Sequence, residues 1–140
     1  MTEIEDILKT LDNDENEFLL NHTRSSIQQV KNDILQKLQL SSKELKEIHK
    51  KLKPYRYVED LTHLKYGSYI RWIKITNPDN IKLTNGGIVT DIKFNKTGCN
   101  VLCKNNMNRF FEIKFDECII FQKMTDQENV LLDVLTYLSK

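Results

Sequence analysis

Hydrophobic positions between residues 65 and 123 fall into five short runs, separated by segments rich in Asn, Gly, Pro and Asp. Those four residue types favour turns, so the separating segments are predicted to be turns and loops. Within three of the runs apolar and polar side chains alternate, as they do along half-buried β-strands. The pattern therefore predicts five strands, at residues 69–75, 88–94, 99–104, 110–115 and 118–121.

The same alternation predicts which side chains fill the core. We expect the apolar side chains of each alternating run to share one buried face. The three predicted core sets are Ile88, Ile92 and Phe94; Cys99, Val101 and Cys103; and Phe111, Ile113 and Phe115. The first run is ambiguous, because Tyr69, Ile73 and Ile75 compete with Ile70 and Trp72 for that face. A β-bulge in this strand would account for both sets.

The connections between the runs follow a distinctive order of lengths. A long loop through Asn77-Pro78 to Gly86-Gly87 comes first, two short turns follow, and Asp116-Glu117 makes an abrupt step into a short last run. This order resembles SH3-like barrels, the group that includes Tudor and KOW modules. The resemblance implies a five-stranded antiparallel barrel at residues 64–124 that acts as a binding platform and rarely carries catalytic groups.

Helical spacing governs the chain before the barrel. Apolar residues at i, i+3, i+4 and i+7, beginning at Ile4, predict a short amphipathic helix over residues 2–11. The acidic and amide residues at positions 12–14 end that helix and offer N-caps for a second one, over about residues 14–39. In the second helix, Leu20, Ile27 and Ile34 recur every seven residues, which predicts a narrow apolar stripe that needs a partner.

A third helix and a C-terminal helix complete the predicted elements. Ser41 or Ser42 caps the third helix, which ends before Pro54 because the residue preceding a proline disfavours helical geometry. With the second helix it forms an antiparallel hairpin in a helical N-terminal region, residues 1–63. The segment from Thr125 to Glu128 is a capping box and opens a helix within residues 125–140, docked on the barrel or on a partner. The predicted fold class is α+β: an N-terminal helical hairpin, a five-stranded antiparallel SH3-like barrel and a C-terminal helix.

Composition sets the broad class of the protein. The chain has 140 residues, a net charge of +1 and 29% charged residues, as globular proteins do. No apolar run approaches the roughly 20 residues needed to span a bilayer. The acidic N-terminus does not resemble a signal peptide. We therefore expect a cytoplasmic protein with reduced cysteines and no membrane partner.

Charge is distributed unevenly along the chain. Residues 1–17 hold seven acids and one lysine, a net charge of −6, whereas residues 64–124 hold ten bases and five acids, a net charge of +5. The chain contains no alanine, and lysine outnumbers arginine 17 to 4, as an AT-rich coding sequence would produce. Part of the lysine content therefore carries no functional information.

The pattern offers little catalytic chemistry. Cys99 and Cys103 lie four residues apart on a predicted strand, about 13 Å from each other by strand rise, which is too far for two ligands of one zinc ion. The sequence has no nucleophile elbow and no His-Glu-x-x-His motif. We expect core thiols, no metal, no cofactor and no enzymatic activity.

A basic segment suggests nucleic acid as an alternative partner. Lysines near the end of the third helix, followed by two tyrosines, would contact a phosphate backbone and stack on bases. The residues of this basic-aromatic segment are Lys46, Lys50, Lys51, Lys53, Arg56, Tyr55 and Tyr57. Glu44 and Glu47 dilute its charge, so an ordinary solvated helix face explains the same residues.

Four aromatic side chains lie outside the predicted core sets: Tyr66, Tyr69, Trp72 and Phe110. Gathered at one end of a Tudor-like barrel, they would form a partner-binding patch or a cage for a methylated lysine or arginine. Ordinary packing in the core or against a docked helix explains them equally well.

Three short strings carry a second resemblance. The strings are Gly67-Ser68-Tyr69-Ile70-Arg71-Trp72-Ile73, Lys82-Leu83-Thr84-Asn85-Gly86-Gly87 and Ile119-Ile120-Phe121-Gln122-Lys123. They are similar to motifs of short, largely uncharacterised proteins of large nucleocytoplasmic DNA viruses. The resemblance implies a virus-encoded protein of the host cytoplasm or the virion. The leading hypothesis is a non-catalytic structural or adaptor protein that forms homo-oligomers through Leu20, Ile27 and Ile34. Nucleic-acid binding through the basic-aromatic segment is the alternative.

Overall fold

The structure is a computed structural model, and it describes residues 19–140. Two compact units divide the chain. The sheet unit comprises residues 38–123, and the described part of the helical unit comprises residues 19–37 and 124–140. The predicted helix at residues 2–11 and the N-caps at positions 12–14 lie outside the described residues.

The sheet unit contains one antiparallel sheet of six strands in the order β1-β6-β2-β3-β4-β5. The strands are β1 (Tyr55–Tyr57), β2 (Tyr69–Lys74), β3 (Gly87–Asn95), β4 (Gly98–Lys104), β5 (Phe110–Lys114) and β6 (Cys118–Lys123). All five predicted strands are present, with ends within two residues of those expected. The abrupt step between the last two strands is a single 3-10 turn, Phe115–Glu117. The α+β class is therefore confirmed.

The prediction of a closed five-stranded barrel is wrong, because the sheet is open and has a sixth strand. Strand β1 pairs with the outer edge of β6, from Tyr55 opposite Lys123 to Tyr57 opposite Phe121. Strands β2 and β3 meet through only two residue pairs, Tyr69 with Ile88 and Ile70 with Gly87. One further bridge, from Ile73 to Leu83, ties the long loop between these strands to β2.

A bulge in β3 decides which side chains reach the core. The pairing of β3 with β4 shifts between Val89 and Asp91, so that Val89 faces inward and Ile88 faces outward. Val89 is buried, whereas Ile88 is exposed. The sheet unit's core contains the following buried side chains: Val58, Leu64, Ile70, Trp72, Val89, Val101, Cys103 and Ile120. The bulge was predicted in β2, and its occurrence in β3 reverses the expected facing of Ile88.

Two further side chains that were predicted to lie in the core are exposed. Phe94 lies one residue pair from the turn at the end of the β3–β4 hairpin, where nothing in the described residues covers it fully, and it is 75% exposed. Phe111 lies on edge strand β5 and is also exposed. Ile92, Ile113 and Phe115 are half-buried against the core. The side chains that were predicted to fill the core are therefore fully buried only toward the middle of the sheet.

Each candidate face of β2 carries at least one buried side chain, which explains the ambiguity of its sequence. Ile70 and Trp72 enter the core on one face, and Ile73 is buried on the other. Beside this strand, Gly86 adopts φ +90°, and a Cβ atom at that position would overlap the carbonyl oxygen of Ile70. Glycine is required at position 86 because the loop backbone approaches β2 closely there.

One helix, α2 (Ser42–Lys51), belongs to the sheet unit. Ser41 caps it by accepting a hydrogen bond from the backbone N–H of Glu44, and the helix ends at Lys51, with Leu52 as its C-cap two residues before Pro54. Ile48 and Leu52 are buried. The predicted cap and the predicted end of this helix are both confirmed.

The helical unit contains α1 (Arg24–Gln36) and α3 (Asp126–Leu138). Each begins with a capping box, at Thr23 in α1 and at the predicted Thr125 in α3. Helix α1 begins after its cap at Thr23 and ends at Gln36, so it covers only part of the predicted span of about residues 14–39, of which residues 14–18 lie outside the described residues. The predicted hairpin is not confirmed, since α1 and α2 fall in different units.

A small apolar cluster holds the described part of the helical unit together. Its buried members are Leu19, Ile27, Met124, Leu131 and Leu132. At the start of α1, Arg24 Nε donates to Asp133 Oδ1 at 2.7 Å and its Nη2 donates to the Asn129 carbonyl oxygen at 3.2 Å. None of the three described helices has the length and apolar sequence that crossing a membrane requires.

Candidate functional site: an exposed surface on strands β2 to β5

Four residues form a continuous line across the outward face of the sheet. Tyr69 of β2 lies opposite Ile88 of β3, Ile88 lies opposite Lys104 of β4, and Lys104 lies opposite Phe110 of β5. Directly opposed residues of antiparallel strands project from the same face of the sheet. We call this line Tyr69–Ile88–Lys104–Phe110 the outer row. It combines three large apolar or aromatic side chains with one cation.

Local contacts hold the outer row in place. The Tyr69 hydroxyl donates to the carbonyl oxygen of Asn85 at 2.6 Å. The Nζ atom of Lys104 lies 5.8 Å from the centroid of the Phe110 ring, within range of a cation–π interaction. Phe110 is nevertheless 60% exposed and Ile88 46% exposed. The row is therefore an ordered surface with apolar area left in contact with solvent.

The β4–β5 turn adds a further exposed apolar side chain next to the row. Asn105 organises this turn: its Oδ1 accepts hydrogen bonds from the backbone N–H groups of Met107 and Arg109, at 2.9 Å and 3.0 Å. Asn108 completes the turn with φ 61°, a conformation that asparagine tolerates better than most residues. Met107 is exposed at the tip of the turn.

Strand β5 is an edge of the sheet. Among the described residues it pairs only with β4, through Phe110 to Lys114. On its core face Phe111 is 43% exposed and Ile113 is half-buried. The strand thus leaves both backbone groups and apolar side chains accessible along one edge.

The predicted partner-binding aromatics are only partly brought together. Tyr69 and Phe110 belong to the outer row. Trp72 lies in the core of the sheet unit, so it cannot contribute to a surface patch or a cage. Tyr66 is exposed but precedes β2 and has no position in the row.

The predicted nucleic-acid segment is divided between surface and interior. Its four lysines, Lys46, Lys50, Lys51 and Lys53, are exposed. Tyr55 and Arg56 are buried in β1, and Tyr57 is half-buried with its ring centroid 6.0 Å from that of Phe121. The lysines are accessible to a phosphate backbone, whereas base stacking on Tyr55 is not available in this structure.

The predicted oligomerisation stripe does not form one surface. Ile27 is buried in the apolar cluster of the helical unit, Ile34 is half-buried and Leu20 is exposed. Leu20 also lies before the start of α1, so it does not share a helical face with the other two.

The three cysteines are free thiols; Cys103 is buried in the core, whereas Cys99 and Cys118 are half-buried. Burial, together with the nearby Cys118, raises the pKa of Cys103 to about 12. Burial likewise raises the pKa of Cys118 to about 11. Both thiols are therefore protonated and poorly nucleophilic at neutral pH. Within residues 19–140, no group of three or more His, Cys, Asp or Glu side chains is placed to hold a metal ion.

Sequence reasoning missed Ile88 as a surface residue, although the sequence contains a signal for it. Val89 and Ile92 are three residues apart, and a strict period of two cannot place both on one face without an extra residue. Thr90 and Asp91, two consecutive polar residues between them, mark the position of the bulge.

The outer row, the Met107 turn and the edge of β5 lie on neighbouring strands of one sheet. Comparison with protein-family models, with curated proteins and with solved structures gives no match for this chain.

Proposed function

We propose that this chain is a non-catalytic structural or adaptor protein whose sheet unit binds other protein surfaces, including further copies of itself. One observation carries the proposal: exposed large apolar side chains concentrate on β3 to β5 and the turns between them. They are Ile88, Phe94, Met107, Phe110 and Phe111. Ile88 and Phe110 lie on the outward face of the sheet, whereas Phe94 and Phe111 lie on its core face. Exposed apolar patches on a folded protein mark interaction sites.

An SH3-like arrangement and a viral origin remain part of the proposal. The connections of β2 to β6 support the SH3-like reading, with a long first loop, two hairpins and a 3-10 turn before the last strand. The open sheet is a departure from that group, and it leaves free an edge that a closed barrel would not have. The proposed viral origin, with the protein in the host cytoplasm or the virion, rests only on the three short strings between Gly67 and Lys123.

Replacement of one exposed aromatic residue tests this function. In sedimentation velocity at high micromolar concentration, Phe110→Ser should shift the protein toward smaller species, because the variant removes apolar surface from the outer row. Tyr137→Ser is the matched control, since Tyr137 is as exposed as Phe110 but lies on α3 in the helical unit. Equal sedimentation of both variants and the unmodified protein would contradict a role for the sheet surface.

Nucleic-acid binding is the second candidate, and the exposure of the four lysines at positions 46, 50, 51 and 53 favours it. A surface of this kind binds phosphates without reading sequence. The burial of Tyr55 and Arg56 weakens the candidate, because it removes a cation and an aromatic side chain from the proposed interface.

A further inference from the structure

Strand β5 has a free edge whose backbone groups can be assigned. The backbone N–H of Asn105 donates to the carbonyl oxygen of Arg109 at 2.9 Å, so these residues form a hydrogen-bonded pair in the β4–β5 hairpin. Hydrogen-bonded and non-hydrogen-bonded pairs alternate along an antiparallel ladder. By this alternation, Phe111 and Ile113 also belong to hydrogen-bonded pairs, so their backbone groups point toward β4.

The intervening residues direct their backbone groups away from β4. Phe110 and Glu112 therefore present N–H and C=O groups to the free edge, where no described strand pairs with them, and Lys114 presents its N–H group. The Lys114 carbonyl oxygen accepts the first hydrogen bond of the 3-10 turn and has one lone pair left for a docking strand. The side chains of these three residues lie on the outward face, because Phe110 belongs to the outer row and side chains alternate along a strand. An extended strand could dock along this edge by the ordinary antiparallel ladder.

Charge selects one register when the docking strand is β5 of a second copy. Centring the antiparallel pair on Ile113 places Glu112 of each copy opposite Lys114 of the other. Centring it on Glu112 places two carboxylates face to face, and centring it on Phe111 places Glu112 opposite Phe110. Opposite charges stabilise directly opposed cross-strand pairs, and like charges destabilise them.

The same register also covers apolar surface on the core face. Ile113 lies opposite Ile113 of the second copy at the two-fold axis, and Phe111 lies next to the 3-10 turn of the second copy, which begins at Phe115. Phe111 is exposed and the other two are half-buried in a single copy. Pairing of the edges would therefore bury residues that the single sheet leaves partly in water.

From this self-complementarity we infer that the chain forms a two-fold symmetric dimer by antiparallel pairing of β5 with β5 of a second copy, centred on Ile113. The inference rests on the proposed function and names its surface and its partner. Within one copy, Glu112 accepts a hydrogen bond from Asn100 at 3.0 Å, and Lys114 lies 3.9 Å from Glu117. Asn100 is on β4, so the Glu112 carboxylate would exchange this contact for Lys114 of the second copy when the edges pair.

Charge-reversal variants of Glu112 and Lys114, made in the full chain, test the proposed dimer. Glu112→Lys alone, or Lys114→Glu alone, replaces two opposite-charge pairs by two like-charge pairs in the homodimer. Each single variant should raise the dimer dissociation constant by about tenfold or more. An equimolar mixture of the two should form a heterodimer, because every charge then meets its opposite. The double variant Glu112→Lys with Lys114→Glu should regain homodimerisation, which also shows that both substitutions are compatible with folding.

Glu47→Lys and Lys46→Glu are the matched controls, since both residues are exposed on α2 and carry the same changes in charge. Sedimentation equilibrium of single variants, mixture and double variant gives the comparison. Loss of association in the singles with recovery in the mixture and in the double variant is the expected result. Association that is the same in all variants would overturn the β5 dimer but leave the proposed function standing. A monomeric unmodified protein would overturn both.

Discussion

Arg56 and Gln122 are cross-strand partners in β1 and β6, and both donate hydrogen bonds to the same carbonyl oxygen, that of His63. The distances are 3.1 Å from Arg56 Nη2 and 3.4 Å from Gln122 Nε2. Gln122 Oε1 in turn accepts from the backbone N–H of Lys65 at 2.8 Å. Both side chains are fully buried, so this network connects the segment before β2 to the sheet from the inside.

Replacing Gln122 by leucine should destabilise the protein. Leucine fills a similar volume but leaves the Lys65 N–H without its acceptor, and an unsatisfied buried donor costs about 1–3 kcal/mol. Urea denaturation followed by circular dichroism measures the change. Lys123→Gln, at the exposed next position of β6, should be neutral. A Gln122→Leu variant as stable as the unmodified protein would show that the network contributes nothing to folding.

Two apolar truncations distinguish the core from the surface of the sheet unit. Ile120 is buried in the core, so Ile120→Ala should lower the free energy of unfolding by about 2–5 kcal/mol. Phe111 is partly exposed, and Phe111→Ala should cost clearly less than the roughly 3–5 kcal/mol typical of a fully buried phenylalanine. Denaturant midpoints of the two variants give the comparison. A larger loss for Phe111→Ala would mean that β5 is covered within a single copy.

The sequence predicted these elements well where the signal is local. Alternation and turn residues located β2 to β6, and the pairing of Thr125 with Glu128 located the start of α3. Strand β1 was missed because Tyr55 to Tyr57 is too short to show a period and owes its conformation to pairing with β6. The open sheet was missed for a similar reason, since closure depends on contacts between distant strands.

The candidate surface was less predictable than the elements that carry it. Tyr69 and Phe110 were identified as unassigned aromatics, but Ile88 joins them only because the bulge after Val89 shifts the register. Trp72 was predicted to be a partner-binding aromatic residue, but it lies in the core. Phe94 is exposed near a hairpin end, and Phe111 is exposed at a sheet edge. Such exposure depends on which strands are neighbours in the sheet, and a single sequence does not state the strand order.

Alkaline pH should destabilise the sheet unit through its buried thiols. The pKa of Cys103 rises from 9.0 to about 12 on folding, so the unfolded chain releases this proton at a lower pH than the folded one. The folded state therefore binds more protons than the unfolded state above about pH 9, and stability falls as pH rises from there to about 12. One thiol contributes a slope of up to about 1.4 kcal/mol per pH unit.

Cys103→Ala isolates this contribution. The variant should be less stable at neutral pH because it opens a small cavity, but its stability should fall less steeply between pH 9 and the folded-state pKa of about 12. Urea midpoints measured across that range give both slopes. Parallel slopes for the variant and the unmodified protein would show that the thiol does not titrate differently in the two states.

Nucleic acid should not bind measurably to this protein at about 50 mM salt, a condition that strengthens phosphate contacts. Fluorescence anisotropy with mixed-sequence single-stranded and duplex DNA and RNA checks this. Affinity that falls steeply with salt, and that is reduced on all sequences alike by Lys50→Glu with Lys51→Glu, would favour the second candidate. Because Tyr55 is buried, Tyr55→Ala would then lower the stability of the folded protein without removing a base-stacking contact.

Sedimentation equilibrium of the unmodified chain over a wide concentration range, at about 0.15 M salt, measures its self-association. The chain has a mass of 16.6 kDa. We expect the weight-average mass to rise with concentration from this value toward twice it, as a two-fold symmetric dimer requires. A mass that stays at 16.6 kDa up to high micromolar concentration would show that the chain does not self-associate.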